Sequence, residues 1–284
     1  LPLAVSLIYG ESCSLSFVIS AAAAAVVGAA LKFFCRSDSK NLYTRDGLAI
    51  VALSWIGISL FGALPFVISG SIPSFIDAFF ETVSGFTTTG ASILTDVEAL
   101  SHGLLFWRSF THWVGGMGVL VFVLAIIPLV GGHSIYLLRA ESPGPSVNKF
   151  GPHMKDTAIT LYKIYIAMTL LQIVLLLLGR VPFFDALNIS MSTAGTGGFG
   201  LYNNSIAGYS VYVQVVVAIF MLLFGVNFNL YYALLYRRAK DVFKSEELRV
   251  YLGLAAFATI TIAVNIVRQV GSVGEAFNLA FFQV

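Results

Sequence analysis

The chain has 284 residues, of which 58% are hydrophobic and only 11% are charged, with a formal net charge of +2 at pH 7. Soluble domains carry about 25% charged residues, so this composition excludes an ordinary soluble protein and indicates one that crosses a membrane several times. The small net charge gives no reason to expect a nucleic-acid partner, and we expect none.

Six stretches with few or no charges are each long enough to cross a bilayer as a helix, for which about 20 apolar residues are needed. In chain order they are residues 15–34, 48–69, 106–130, 157–178, 210–236 and 250–270. Residues 1–9 resemble the end of a further span. The chain also begins without a Met, so we interpret its start as processed or incomplete. The expected fold is an all-α membrane protein in contact with lipid.

Two short segments rich in threonine and glycine lie between these spans: GFTTTGAS at residues 85–92 and TAGTGGFG at residues 193–200. A loop at membrane depth must be sheltered by protein or line a water-filled cavity. Backbone carbonyls in such loops can replace the hydration shell of a monovalent cation without binding it too tightly to leave. Glycine permits the dihedral angles that turn successive carbonyls inward. The two loops therefore predict an ion pathway.

The loops belong to a repeated pattern of span, short apolar helix, loop and span. Gly90 follows Asp77 by thirteen residues, Gly197 follows Asp185 by twelve, and a third copy begins near Glu275. Its loop glycine would fall just past Val284, so we expect at least one further loop. We divide the chain into an N-terminal helical region (1–46), a first repeat with its connection (47–156), a second repeat (157–249) and the start of a third (250–284).

The distribution of basic residues predicts the orientation. Twelve of the sixteen lie in the connections after the first, third and fifth spans: Lys32, Arg36, Lys40, Arg45, Arg139, Lys149, Lys155, Arg237, Arg238, Lys240, Lys244 and Arg249. The positive-inside rule assigns these connections to the cytoplasm, so both loops would enter from outside. The short helices would then direct their negative C-terminal ends toward a cation at the membrane centre. Asp77 and Asp185 either stabilise the outer helix ends or attract cations, and the two roles are compatible.

The sequences FFETVSGFTTTGAS, RSFTHWVGGMGVLVF, RAESPGPSVNKF and STAGTGGFG resemble the TrkH/KtrB superfamily of bacterial potassium-uptake proteins. The span at 15–34 before the first repeat favours the TrkH branch. The resemblance implies four span–pore-helix–filter-span units around one pore in a multi-pass protein of the bacterial inner membrane. It also implies a homodimer with one pore per subunit, and a TrkA-like ring of cytosolic nucleotide-binding regulatory subunits as partner. Residues 139–156 and 236–249 would serve as docking segments, or are simply solvated connections.

Carried over by this resemblance, the potassium-binding filter consists of Thr87, Thr88, Thr89 and Gly90 in one loop and of Ala194, Gly195, Thr196 and Gly197 in the other. Glycine at positions 90 and 197 implies selection of potassium over sodium. The second strand departs from a plain TTTG pattern, so mainly its carbonyls would contribute. Potassium is the transported ion, no cofactor is expected, and coupling to protons or sodium stays open.

Two other classes of function compete with a channel-like subunit. A secondary carrier for a small organic solute could also use loops at the midplane, although such carriers often have inverted repeats and these copies run in the same direction. An intramembrane enzyme would have to use residues such as Ser84, Ser92, His102 and His112. No carboxylate lies at a spacing that would orient a histidine, so we expect no enzyme.

Several other side chains have simpler expected roles. The glycines of HWVGGMG, residues 112–118, should let that helix pack closely against a neighbour. Arg108 should lie at the interface or pair with Asp77, Glu81 or Asp185. Asn227 either bonds between helices or lines a cavity below the filter.

Overall fold

The computed structural model describes residues 1–34, 44–118, 154–235 and 242–284. In these ranges the regular structure is helical, without strands, which confirms the all-α expectation. The helices are α1 (Pro2–Ile8), α2 (Ser14–Phe34), α3 (Thr44–Ile68), α4 (Phe75–Phe86), α5 (His102–Gly116), α6 (Met154–Leu178), α7 (Phe183–Ala194), α8 (Val211–Phe224), α9 (Phe228–Leu235), α10 (Glu246–Val270) and α11 (Val273–Gln283).

Among the described residues, four single helices are long and apolar enough to cross a membrane: Ser14–Phe34, Ala49–Ile68, Ile159–Leu178 and Glu246–Val270. They correspond to the predicted spans 15–34, 48–69, 157–178 and 250–270. Of the predicted span 106–130, α5 covers the first part, and residues 119–130 lie outside the described ranges. The chain is a multi-pass membrane protein.

The predicted span over 210–236 is not one continuous helix, although α8 and α9 taken together are long and apolar enough to cross a membrane. The chain bends by 86° between α8 and α9, around Gly225. The end of α8 is stabilised from two sides, since the Tyr231 hydroxyl donates to the carbonyl of Leu223 over 2.7 Å and the Tyr251 hydroxyl to that of Leu222 over 3.0 Å. The Tyr251 hydroxyl also lies against Gly225, where a side chain would not fit.

Helix lengths and positions recur along the chain. The short helices α4 and α7 have 12 residues each and are offset by 108 residues, and α5 and α8 end at positions with the same offset. A third short helix, α11, begins after Ser272, whose hydroxyl accepts from the backbone N–H of Glu275 as that of Ser74 does from Asp77. The short helices α4, α7 and α11 thus each follow a long apolar helix, α3, α6 and α10 respectively.

The short helices α4 and α7 pack in the same way against their neighbours. Helix α4 lies between α3 and α5, and α7 lies between α6 and α8. Helix α5 also packs against α7, so it contacts both short helices. One apolar core surrounds α4 with α3 and the N-terminal helices, and the other surrounds α7 with α6 and α8. This arrangement brings the C-terminal ends of the two short helices to the same helix, α5.

Candidate cation-binding site

The first threonine–glycine loop leaves α4 in a defined turn. After Phe86 the backbone N–H of Thr88 donates to the carbonyl of Gly85 over 3.1 Å, and that of Thr89 to Ser84 over 2.9 Å. Thr88 has a φ of 55° and Gly90 a φ of 76°, both in the left-handed region. The Thr87 hydroxyl donates to the carbonyl of Val83 over 2.7 Å and lies 2.8 Å from the Thr89 hydroxyl. The loop is therefore held by its own hydrogen bonds.

The second loop repeats this geometry at the end of α7. The N–H of Thr196 donates to Thr193 over 2.8 Å, and that of Gly197 to Ser192 over 3.3 Å. Thr196 has the same φ as Thr88, 55°, and Gly198 has a φ of 77°. Two sequences that share few identical residues therefore adopt one backbone conformation.

This repetition corrects the alignment of the two loops. The structure pairs Gly90 with Gly198, not with Gly197 as the sequence comparison predicts, because the left-handed positions are offset by 108 residues. Both glycines then follow their aspartates by thirteen residues. Ala194 becomes the equivalent of Phe86, the last residue of its short helix. Its carbonyl lies close to Gly116 of α5, so Ala194 belongs to the helix end rather than to the loop.

The two loops meet backbone to backbone. The Cα of Gly90 lies so close to the carbonyl oxygen of Gly197 that a Cβ at position 90 would overlap it. Thr87, Thr89 and Thr196 are exposed in the described structure. The predicted residues of both loops are therefore brought together at one place, with accessible oxygen-bearing groups.

Helix α5 packs against the back of both loops through consecutive glycines. A Cβ on Gly115 would collide with the carbonyl of Phe86 and lie 3.0 Å from the Thr88 methyl group. On Gly116, a Cβ would lie 2.8 Å from the Cα of Gly195. The expectation that these glycines permit close packing is confirmed, and the partners are the loops.

A buried ion pair joins the first loop to its surroundings. Arg108 Nε donates to Glu81 Oε1 over 2.7 Å, with the two side chains 3% and 1% exposed. Glu81 also accepts from the Ser92 hydroxyl over 3.0 Å and from the N–H of Ile93 over 2.9 Å. Arg108 donates further to the carbonyl of Gly200 over 3.2 Å. The expected pairing of Arg108 with Glu81 is confirmed, and the network extends to the segments that follow both loops.

The aspartates of the short helices lie at the opposite ends from the loops. Asp77 is in the first turn of α4, after Ser74, whose hydroxyl accepts from its N–H over 3.4 Å. Asp185, in the first turn of α7, accepts from the hydroxyls of Tyr202 over 3.2 Å and Tyr209 over 2.8 Å. For Asp185 these bonds support the role of helix-end stabilisation.

Chemically, the loops offer neutral oxygens. Among the described residues, no three His, Cys, Asp or Glu side chains are grouped so that they could hold a metal ion. Neutral carbonyl and hydroxyl oxygens suit a weakly held monovalent cation. A cavity of about 420 Å³ adjoins the second loop and is lined by Thr196, Met221, Gly225, Tyr251, Thr259 and Phe281 among others.

The serines and histidines considered for an enzyme do not hydrogen-bond to one another. The expectation that no carboxylate orients a histidine is wrong for His102, whose Nδ1 lies 3.0 Å from Oε1 of Glu11. Ser92 bonds to Glu81 and Arg108. The Ser84 hydroxyl and both ring nitrogens of His112 are buried without a hydrogen-bond partner. Sequence reasoning missed the importance of Phe199, whose ring packs against both His112 and Arg108. An aromatic residue just after a glycine-rich loop was the available signal.

Comparison with known proteins gives a consistent result. The family model described as "TrkH: Cation transport protein" matches residues 14–271. The chain is 36% identical to the Trk system potassium uptake proteins TrkH of Salmonella typhimurium and of Escherichia coli K12, with 100% of the chain and 60% of each relative covered. It is 32% identical to an uncharacterized cation transporter of Methanocaldococcus jannaschii over 93% of the chain.

The same similarity holds for the fold. The crystal structure of the potassium transporter TrkH from Vibrio parahaemolyticus matches with a TM-score of 0.83 and 30% identity, covering 99% of this chain and 58% of that one. The chain therefore spans about three fifths of the length of these relatives. The expected branch of the superfamily is confirmed: the chain belongs to the TrkH family of cation transport proteins.

Proposed function

We propose that this chain is part of a channel-like subunit that takes up potassium across the bacterial inner membrane. Potassium is coordinated by the carbonyls of Thr87, Thr88, Thr89 and Gly90 and by those of the second loop, Gly195, Thr196 and Gly197, with Gly198 added by the observed alignment. Ala194 contributes only the helix end before it. Further strands from the remaining repeats complete the ring.

The observation that supports this proposal most strongly is the contact between Gly90 and the carbonyl of Gly197. Two loops that follow equivalent helices and touch through their backbones are arranged as adjacent strands of one filter. The C-terminal ends of α4 and α7 carry a partial negative charge, which favours a cation near the loops. Both features suit a dehydrated ion held by dipoles.

The proposed direction of transport follows from the charge distribution. The loops open to the outside, and the basic connections face the cytoplasm. A monovalent cation that moves inward gains about 2.3 kcal/mol per 100 mV of inside-negative potential. Uptake through this subunit therefore needs no covalent chemistry.

The proposed assembly is a homodimer that docks a cytosolic ring of nucleotide-binding regulatory subunits. The names of the curated relatives place those proteins in a Trk system, which supports a multi-component assembly. The described part of the basic segment 236–249 begins at residue 242, close to α10, and its Glu247 accepts from the side-chain amide of Asn227 at the α8–α9 bend over 3.2 Å. A regulator bound there would act on that bend.

The experiment uses the full-length protein that carries this chain, expressed in a bacterial host without its own potassium uptake. Wild type should restore growth at low potassium and take up rubidium as a tracer. Gly90→Ser should weaken uptake and the preference for potassium over sodium, because its Cβ would displace the Gly197 carbonyl.

The matched control is Gly70→Ser. Gly70 has nearly the same φ, 75°, but lies between α3 and α4 with open space around it. Gly70→Ser therefore introduces the same backbone strain without displacing a carbonyl of either loop. This variant should retain the potassium preference. Equal ion preference in wild type and Gly90→Ser would contradict the filter assignment, and uptake of an organic solute instead of potassium would favour a carrier.

A further inference from the structure

His112 of α5 is a completely buried residue behind the two loops. It is 0% exposed, and neither ring nitrogen has a partner with hydrogen-bond geometry. Its imidazole stacks on the ring of Phe199, with the ring centres 4.0 Å apart and the planes inclined by 14°. Burial of two unpartnered nitrogens is unfavourable, so the position of this ring calls for an explanation.

The ring lies directly against the second loop. A Cβ on Gly197 would be 2.5 Å from Cε1, 2.7 Å from Nε2 and 2.9 Å from Nδ1 of His112. A Cβ on Gly195 would be 2.6 Å from the backbone oxygen of the same histidine. The imidazole therefore occupies the space next to Gly197 that a side chain there would fill.

The ring is itself held in place. Phe199 packs on it, and the guanidinium carbon of Arg108 lies 4.2 Å from the centre of the Phe199 ring. Arg108 is fixed by its ion pair with Glu81. A continuous series of contacts thus runs from the ion pair through two stacked rings to Gly197, whose carbonyl meets Gly90.

We propose that His112 is a positioning residue for ion selection: its flat ring sets the position of Gly197, and with it the spacing between the two loops. The inference rests on the proposed function, because it concerns the ion that those loops choose. The shape of the ring and its position against Gly197 carry the role, since no hydrogen bond joins either nitrogen to the second loop. Loss of the ring lets the Gly197 backbone shift toward α5 and alters the fit of the carbonyls to potassium.

The test compares His112→Ala with His112→Phe in the full-length protein, with potassium, rubidium and sodium fluxes measured in proteoliposomes. His112→Ala should lower the potassium-to-sodium preference about tenfold, which corresponds to about 1.4 kcal/mol of differential binding. His112→Phe keeps a flat ring without nitrogens, so its preference should stay close to that of wild type. Phe199→Leu, which removes the stacking partner, should shift the preference in the same direction as His112→Ala.

The matched control is Gln172→Leu. Gln172 on α6 is also 0% exposed, and its side-chain amide likewise has no partner. The Gln172→Leu variant tests whether the loss of any buried polar residue affects ion selection. Its potassium-to-sodium preference should remain that of wild type. Thermal unfolding of each purified variant identifies any that does not fold, and Phe199→Leu provides the measurement if His112→Ala is one of these.

The possible outcomes separate this inference from the proposed function. Absence of potassium flux in wild type would contradict the proposed function. If wild type selects potassium and folded His112→Ala does so equally well, the positioning role is wrong. Loss of selection in His112→Phe as large as in His112→Ala would also overturn it, because the nitrogens would then be required.

Discussion

Arg108 and Glu81 form an ion pair with 2.7 Å between Nε and Oε1, and neither side chain is more than 3% exposed. The pair joins α5 to α4, and its further bonds reach Ser92 and Gly200, which follow the two loops. One pair thereby holds both loops relative to their helices. Breaking a buried pair by removing one partner leaves the other charge uncompensated.

Glu81→Leu and Arg108→Leu should therefore each destabilise the protein by about 3–5 kcal/mol, the usual effect of removing one member of a buried pair. The double variant should lose less than the sum of the two, because no unpaired charge remains buried. Thermal unfolding of the full-length protein in detergent measures the effect. Additive losses would show that the two side chains act independently.

Gly115→Ala should lower both stability and potassium uptake, because the new Cβ would collide with the carbonyl of Phe86 at the start of the first loop. Overpacking of this kind typically costs about 1–3 kcal/mol. The control is Gly57→Ala in α3, where the structure leaves open space around the added methyl group. Gly57→Ala should be as stable as wild type or slightly more stable, since alanine stabilises a helix more than glycine does. Similar behaviour of both variants in unfolding and tracer-uptake assays would contradict the close packing of α5.

Much of the architecture could be predicted from the sequence because its signals are local. Stretches with few charges and sufficient length indicated six spans, of which four are single long helices in the described residues. The spacing after Asp77 and Asp185 indicated the two short helices with their loops. The alignment of the second loop could not be read in this way. Gly195, Gly197 and Gly198 are three candidates for one left-handed position, and only the backbone shows that Gly198 occupies it.

Two other features depend on contacts that are distant in sequence. Apolar residues continue across the α8–α9 bend, so the pattern predicted one helix, and the tyrosine hydroxyls that stabilise the end of α8 come partly from α10. Glu11 accepts from the backbone N–H groups of His102 and Gly103, ninety-one and ninety-two residues later. It thus caps α5, whose own Ser101 makes no side-chain cap.

The cap on α5 should make stability depend on pH. Burial raises the pKa of Glu11, but hydrogen bonds from the backbones of Gly103 and His102 outweigh it, so the net pKa is below the usual value. A lowered pKa in the folded state stabilises the protein above the pKa of the unfolded chain, and this contribution is lost as the pH falls through the folded value. Thermal unfolding in detergent should show that the stability of wild type declines between neutral and acidic pH. This decline in stability should be shallower in Glu11→Gln.

Glu275→Gln serves as the control for that experiment, because Glu275 is an exposed carboxylate in the first turn of α11. Its unfolding curve should keep the wild-type dependence on pH. If the stability of Glu11→Gln falls with pH as steeply as that of wild type, the capping bonds contribute nothing to the acid sensitivity of the protein.

Tyr251→Phe should weaken the end of α8, because the carbonyl of Leu222 loses its hydroxyl donor. Loss of one such bond costs about 0.5–1.5 kcal/mol. Tyr212→Phe is a suitable comparison, since the exposed Tyr212 hydroxyl bonds to Leu175 away from the bend. Hydrogen exchange should increase at the α8–α9 bend in the first variant only. Equal exchange there in both would argue against a role of Tyr251 at the bend.

The most direct test is to locate the ion itself, by anomalous diffraction from crystals of the full-length protein in thallium, a heavy substitute for potassium. We expect a thallium peak within coordination distance of carbonyl oxygens from both loops, Thr87–Gly90 on one side and Gly195–Gly198 on the other. This peak should weaken when potassium is added. Thallium bound only elsewhere, or a pathway that leaves these carbonyls in contact with lipid or protein alone, would contradict it.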